Sequence, residues 1–282
     1  MSYSLNKLYT TIGISKQAVY QYEKRQHVFD AKLLQLVTEV DELRKEHPGC
    51  GVEKMYYTLT PDFIGRDRFT EVMMQLGYRL KRKKNYKRTT VSGKIYYPNL
   101  IKGLAVNAPN TVWQSDITYI KVAGNYYYAV FIIDVYTKEI VGYSVTDHMR
   151  ATANVEALKM AFAVHGSPKF HHSDRGSQYT YKGYIELLKE NNVQISVATS
   201  AQDNAYAERI NRTIKEEYLN YWKPKTFIQL KTMVKRAVQN YNEKRVHNNI
   251  DRRTPLEFRT NFSLMASHQR KTITIFNNES LT

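Results

Sequence analysis

The sequence predicts a mixed α/β domain, a five-stranded sheet with helices, placed behind small all-α modules. Three observations predict it. Apolar residues recur at helical spacing from Leu5 to Leu76. From Val112 three consecutive runs, VWQSDITYIKV, YYYAVFIIDVYT and EIVGYSVTDH, are rich in β-branched and aromatic residues. Beyond them helical and strand-like stretches alternate, which is a mixed α/β layout.

Taken in order, residues 1–26 read as two short helices. Leu5, Leu8, Tyr9 and Ile12 lie on the first, Gly13 supplies a turn, and Ser15 is the N-cap of a second containing Val19 and Tyr22. The string LYTTIGISKQAVYQYEKR has the layout of a helix-turn-helix, with Ser15, Lys16, Gln17 and Tyr20 placed to face a DNA groove. An ordinary helical hairpin fits the pattern equally. A longer helix is expected at 31–46, broken by HPGCG at 47–51, with further helices at 52–59 and 66–76. The three strands are separated by turns at Gly124-Asn125 and Thr137-Lys138. A helix at 152–164, the strand KFHHS at 169–173, a helix at 179–191, a strand at 193–198, a long helix at 203–221 and another at 226–241 follow. The expected domains are a helix-turn-helix at 1–28, a second helical DNA-binding module at 29–78, a basic linker at 79–106, the α/β domain at 107–260 and a tail at 261–282 with no assigned role.

Composition bounds the function. The 282 residues include 42 Lys and Arg against 26 Asp and Glu, a formal charge of +16, and such an excess draws polyanions by counterion release. No acidic residue lies between Glu71 and Asp116. That stretch carries Lys81, Arg82, Lys83, Lys84, Lys87 and Arg88 with Tyr78, Tyr86, Tyr96 and Tyr97 interleaved, cations and aromatic platforms suited to a nucleic-acid backbone. No apolar run approaches the ~20 residues that span a bilayer. The opening MSYSLNKLYT lacks the layout of a signal peptide. Cys50 is the single cysteine, which excludes an internal disulfide and a four-cysteine zinc site. A cytoplasmic protein, bound to the nucleoid when on DNA, is expected.

Three acids occupy telling places. Asp116 falls within the first strand, Asp174 follows KFHHS directly, and Glu208 falls inside the long helix. One carboxylate at a strand centre, one at a neighbouring strand end and one on a crossing helix can converge on a point. An all-carboxylate set suits Mg²⁺ or Mn²⁺, and two such ions about 3.5–4 Å apart can clamp both oxygens of an in-line displacement. Spacing alone does not single these three out from 26 acids. On the helix, Asn204, Glu208, Asn211 and Lys215 share one face, and Ala207, Ile210, Ile214 and Tyr218 form an adjacent apolar stripe.

The flanks single them out. WQSDITYI, HHSDRGSQYT and QDNAYAERINRTIKEE, closed by YNEKRVHNNIDRRTPLEF, resemble the transposases of the bacterial insertion-sequence-three family (the downstream-frame, OrfB-type product), in the retroviral-integrase superfamily. The resemblance covers about 108–260 strongly, and the helical region before it with less specific motifs. It implies an RNase H-like catalytic core, with Asp116, Asp174 and Glu208 as the catalytic triad holding two Mg²⁺ ions, for which Mn²⁺ can substitute. It implies DNA strand cleavage and transfer by a copy-out–paste-in route, on terminal inverted repeats and target DNA. The oligomer is expected to be at least a dimer on DNA, and longer forms to arise by frameshifting. Lys215 matches a basic position of the family and would grip the phosphate next to the scissile bond. Arg212, with Arg209, would hold phosphates further out, and Asn204, Asn211 and Gln114 are further candidates for DNA contact. One departure is the interval of 33 residues between Asp174 and Glu208, two fewer than usual, with the shortfall before Gln202 in SVATSAQDN.

Other polar residues have plainer readings. Asp134 suits a strand-end turn and Asp203 an N-cap with Asn204 as the alternative; of His171 and His172, one suits packing and the other shaping the entrance, rather than metal binding. Trp113 is as suited to packing as to DNA. A DNA-binding repressor with a dead catalytic domain, and an RNase H-type nuclease on RNA–DNA hybrids, are the rival functions. The intact triad and the leading helical modules speak against both.

Overall fold

The structure, a computed structural model, describes residues 5–80 and 97–275. The chain forms two compact units, Met1–Glu46 with Cys50–Leu80, and His47–Gly49 with Lys81–Thr282.

The first unit is all helical: α1 Leu5–Ile12, α2 Lys16–Glu46, α3 Val52–Leu59 and α4 Arg66–Gln75. Gly13 makes the first turn at φ +71°, which glycine adopts without a Cβ penalty. The Ser15 hydroxyl accepts the Ala18 amide at 3.0 Å, as an N-cap does. Two helices were expected where α2 runs unbroken, so the boundary expected near residue 28 falls inside it. No Gly or Pro interrupts residues 16–46, and pairs four apart, such as Gln26 with Asp30 and Gln35 with Glu39, support exposed turns. Leu36 and Val40 of α2 are buried with Met55, Phe69 and Met73 of the shorter helices.

The second unit is a five-stranded sheet in the order β4-β3-β2-β5-β6. The strands are β2 Val112–Val122, β3 Asn125–Asp134, β4 Ile140–Thr146, β5 Phe170–Ser173 and β6 Gln194–Val197. β2, β3 and β4 are antiparallel, whereas β5 and β6 run parallel to β2. The helices are α5 Thr152–His165, α6 Lys182–Glu190, α7 Ala205–Ile214, the short α8 Asn220–Trp222, α9 Phe227–Glu243 and α10 Pro255–Phe262. This is the RNase H-like architecture. α7 enters through a 3₁₀ turn at Ala201–Asn204 and leaves through a π turn at Lys215–Leu219.

Strand alternation sorts the side chains into two cores. Ile120, Val122, Ala129 and Phe131 pack with Ala207, Ile210, Ile214 and Tyr218 and with Leu230 and Val234 of α9. Trp113, Val130 and Ile132 face the other way, onto Ala157, Leu158 and Ala161 of α5 and Tyr184 and Leu188 of α6. α5 lies very close to β4 at Gly142, where a Cβ would collide with the Ala157 carbonyl oxygen. Gly142→Ala is therefore expected to cost about 1–3 kcal/mol through forced displacement of α5, read as a lowered denaturation midpoint. An unchanged midpoint would show that α5 yields freely.

The region after 260 is more structured than expected. α10 reaches Phe262, and β7 Ile273–Thr274 pairs antiparallel with β1 Ala105–Val106. Ile275 is fully buried beside Ile101, Val106, Val112, Tyr136 and Phe258. Among the described residues no helix is long and apolar enough to cross a membrane.

Candidate active site

Asp116 lies at the centre of β2, paired with Phe131 of β3 on one side of the sheet's middle. Thr118 and Ile120 follow at alternate positions on the same face, which α7 covers. β5 runs beside β2 in parallel, with Gln114 opposite His172 and Ser115 opposite Ser173. Asp174 therefore emerges at the strand end next to Asp116. Its carboxylate accepts the Gly176 amide at 2.9 Å, closing the turn formed by Asp174-Arg175-Gly176. The Arg175 guanidinium donates to the Ala198 carbonyl at 3.1 Å, tying this turn to the end of β6.

Glu208 is exposed on α7, and four hydrogen bonds set α7 and the turn before it on β2. Gln114 donates to the Asp203 carbonyl at 3.2 Å and accepts the Tyr206 amide at 3.1 Å. Asn204 donates to the Ser115 carbonyl at 3.0 Å. Asn211 donates to the Asp116 carboxylate at 2.8 Å. Consecutive residues of one strand thus grip successive turns of one helix.

The carboxylates feel one another. Burial pushes Asp116 up to about 7, the Asp174 charge adds to this and Glu208 contributes, while the Ile117 amide and Asn211 oppose it. Burial also raises Asp174 against the Gly176 amide. Glu208 is raised by burial and by Asp174, with Arg212 opposing. Mutual destabilisation of anions is the electrostatic state that a divalent cation relieves. The donor set is all oxygen, as Mg²⁺ or Mn²⁺ requires. Among the described residues no group of three or more His, Cys, Asp or Glu side chains is drawn close enough to hold a metal ion.

The residues expected at DNA divide into three groups. Lys16, Gln17, Tyr20 and Arg212 are exposed. Gln114, Asn204 and Asn211 are 0%, 2% and 5% exposed, so a DNA role is corrected: their amide nitrogens donate inside the protein. Lys215 is half-buried and donates to the Thr118 hydroxyl at 2.7 Å, placing its charge beside Asp116. Lys81, Arg82, Lys83, Lys84, Lys87 and Arg88 lie outside the described residues.

His171 and His172 are buried, hydrogen-bonded to Tyr184 and Ser196 at 2.9 and 2.8 Å. Burial holds both rings neutral, at about 3 and about 4. Asp134 is fully buried and accepts the amides of Asn110, Tyr136 and Thr137, a strand-end turn as expected. Trp113 is packing: it is fully buried, its ring tilted against Phe162 and its indole N–H donating to Asn110.

Two features differ from or go beyond the sequence reading. Asp203, expected as an N-cap with Asn204 as the alternative, instead organises the short loop before α7, accepting from Thr199 and Ser200, while Asn204 stands at the N-cap. Against a burial that would raise it, these bonds hold Asp203 down at about 2, and the capping box of Ser200 with Asp203 was the available signal. The second is Tyr179, buried behind the triad with its hydroxyl 2.9 Å from that of Ser115; no sequence signal marked it.

Known proteins bear on this geometry. The integrase core domain family matches residues 106–202 and 192–255. The transposase for insertion sequence element IS629 of Shigella sonnei is 30% identical over 274 residues, covering 90% of this chain and 91% of the relative. The insertion element IS600 uncharacterized 31 kDa protein of the same species is 29% identical over 268 residues, covering 90% of this chain and 98% of the relative. The simian T-cell lymphotropic virus intasome in complex with PP2A regulatory subunit B56 gamma is similar with a TM-score of 0.49 and 17% identity, over 77% of this chain and 73% of that one. The chain belongs to the insertion-sequence transposases built on an integrase core, enzymes of the DDE polynucleotidyl-transferase class that act on DNA.

Proposed function

We propose that Asp116, Asp174 and Glu208 are the catalytic carboxylates of this transposase, and that they hold two divalent ions, Mg²⁺ or in its place Mn²⁺. The observation that carries the reading is the convergence of three carboxylates from β2, the end of β5 and α7: burial raises the proton affinity of each, the Asp174 charge adds to it at Asp116 and Glu208, and Glu208 adds to it at Asp116. Bound there, the metal pair would supply Lewis-acid stabilisation of the charge that develops on the attacking and leaving oxygens. The protein's own part is positioning. Asn211 fixes one oxygen of Asp116 and so sets the orientation in which the carboxylate would ligate. Lys215, held by Thr118, keeps a cation within reach of a phosphate at the site. Arg212, exposed next to Glu208, is placed for the strand beyond it.

The DNA is an element end and then a target, attacked first by water and then by the freed 3′-hydroxyl. Exposed Lys16, Gln17 and Tyr20 at the start of α2, with the basic segment 81–88, would supply end recognition. Joining two ends in one event requires at least a dimer on DNA, and copy-out–paste-in is the route proposed. The core extends beyond the bounds 107–260 read from sequence: Ile101 and Val106, from the expected linker, and Ile275, from the expected tail, pack with Phe258, and α2 is one helix from Lys16 to Glu46.

The test is strand joining of a labelled element-end duplex to target DNA with Mg²⁺ or Mn²⁺. Glu208→Gln is expected to reduce joining to below about a thousandth, the loss expected from removing several kcal/mol of transition-state stabilisation. Binding of the end duplex should survive. Joining that persists in the variant would remove Glu208 from the triad. End binding by the wild type without cleavage in either metal would favour the repressor.

A further inference from the structure

We propose that Gln114 is a positioning residue: its buried side-chain amide sets α7 on β2, and so fixes where Glu208 meets Asp116 and Asp174. The proposal rests on the triad reading above and goes beyond it to a residue that touches neither DNA nor metal.

Gln114 is fully buried in the middle of the sheet. Its amide makes two hydrogen bonds of opposite sense to the backbone at the start of α7, donating to the Asp203 carbonyl at 3.2 Å and accepting the Tyr206 amide at 3.1 Å. These groups bracket the junction at which the 3₁₀ turn Ala201–Asn204 becomes α7. A helix start leaves backbone N–H groups without intrahelical acceptors, and a side chain at the N-cap usually takes one. Here the N-cap residue Asn204 makes no capping bond. Its amide instead reaches back to the Ser115 carbonyl at 3.0 Å, so the cap is supplied by the strand and the N-cap side chain holds the strand in return. Glu208 lies two residues beyond Tyr206, within the turn that this exchange fixes.

Only a carboxamide offers donor and acceptor together on a side chain of this length. A glutamate would keep the acceptor and lose the donor, and a methionine would fill the space with neither. Mg²⁺ demands near-ideal octahedral geometry, so a displaced Glu208 should be felt most with Mg²⁺ and less with the more permissive Mn²⁺.

The experiment compares wild type, Gln114→Met, Gln114→Glu and Glu208→Gln in the strand-joining assay. Metal-free binding to the element-end duplex and amide hydrogen exchange across 203–208 are measured alongside. For Gln114→Met we expect a ten- to hundredfold loss of joining with Mg²⁺, the range for residues that orient metal ligands. A much smaller loss is expected with Mn²⁺, with end binding unchanged and faster exchange of the Tyr206 amide. Gln114→Glu keeps the acceptor for Tyr206 and loses the donor to Asp203, so it should show the same metal-selective loss of joining with Tyr206 exchange unchanged, and it carries the test if Gln114→Met does not fold. Joining at the wild-type rate with Mg²⁺, or an equal loss in both metals with unchanged exchange at Tyr206, would overturn the proposal. If Glu208→Gln still joins, the triad reading fails; if it is inactive while both Gln114 variants match wild type, only the clamp fails.

Discussion

Arg259→Met is expected to destabilise the catalytic unit by about 3–5 kcal/mol, the usual cost of leaving a buried charge without its partner. Arg259 stands on α10, whose start is fixed by a capping box of Thr254 and Glu257 and by Pro255. Its guanidinium meets Glu139 directly and approaches Asp134 at 3.3 Å. Both acids are buried, Asp134 at 0% and Glu139 at 4% exposure. Asp134 has three backbone amides to share its charge, so the greater part of the loss should come from Glu139. Burial already raises Glu139, with Arg259 opposing and Asp134 adding.

The sign of the pH dependence follows. A carboxylate raised on folding contributes stability that is present in acid and lost as pH rises through its folded value. Without Arg259 that value rises further, so the deficit against wild type should be largest at neutral and alkaline pH and shrink in acid. Replacing Glu139 as well, in Arg259→Met/Glu139→Met, should recover much of the loss, because a buried ion pair is near break-even against apolar packing. Denaturant midpoints at two pH values measure both effects. A single-variant loss below about 1 kcal/mol, the scale of a surface pair, would show that the acids reach water.

What the sequence could tell depended on whether a signal was local. The stripe Ala207, Ile210, Ile214 and Tyr218 is buried to 2% exposure or less, because an amphipathic helix writes its core face into a period of 3.6. The antiparallel strands were equally plain. The continuity of α2 was not, since the polar run between Tyr22 and Val28 reads as a break although a helix held by its own side-chain pairs needs no core there. β7 is two residues long, and its pairing depends on β1, far away in sequence. Periodicity put Asn204, Glu208, Asn211 and Lys215 on one face but could not say what that face meets. It meets β2, so the two asparagines hold the strand and Asp116 rather than DNA. A polar residue that supports a ligand and one that is a ligand look alike in sequence.

Asp116→Asn should separate function from stability, abolishing joining while making the metal-free protein more stable at alkaline pH. In the metal-free chain Asp116 is raised from its ordinary value of 3.8 to about 7, by burial and then by Asp174 and Glu208. Its contribution to stability is therefore complete below about 4 and lost as pH rises through about 7. Above pH 7 the wild type carries an ionised carboxylate that it would hold more cheaply as a neutral group. The neutral amide of Asn removes that penalty and can still accept the Asn211 hydrogen bond. The gain at pH 8 is expected to be on the order of 2 kcal/mol, reduced from the full shift because water partly screens the group, and it should vanish near pH 4. Divalent metal should raise the melting temperature of the wild type at pH 8 by binding the folded state, and raise that of the variant far less. Thermal melts at pH 8 and pH 4, with and without Mg²⁺ or Mn²⁺, read all three. A variant no more stable than wild type at pH 8, or one stabilised equally by metal, would mean that Asp116 neither carries the penalty nor holds the ion that relieves it.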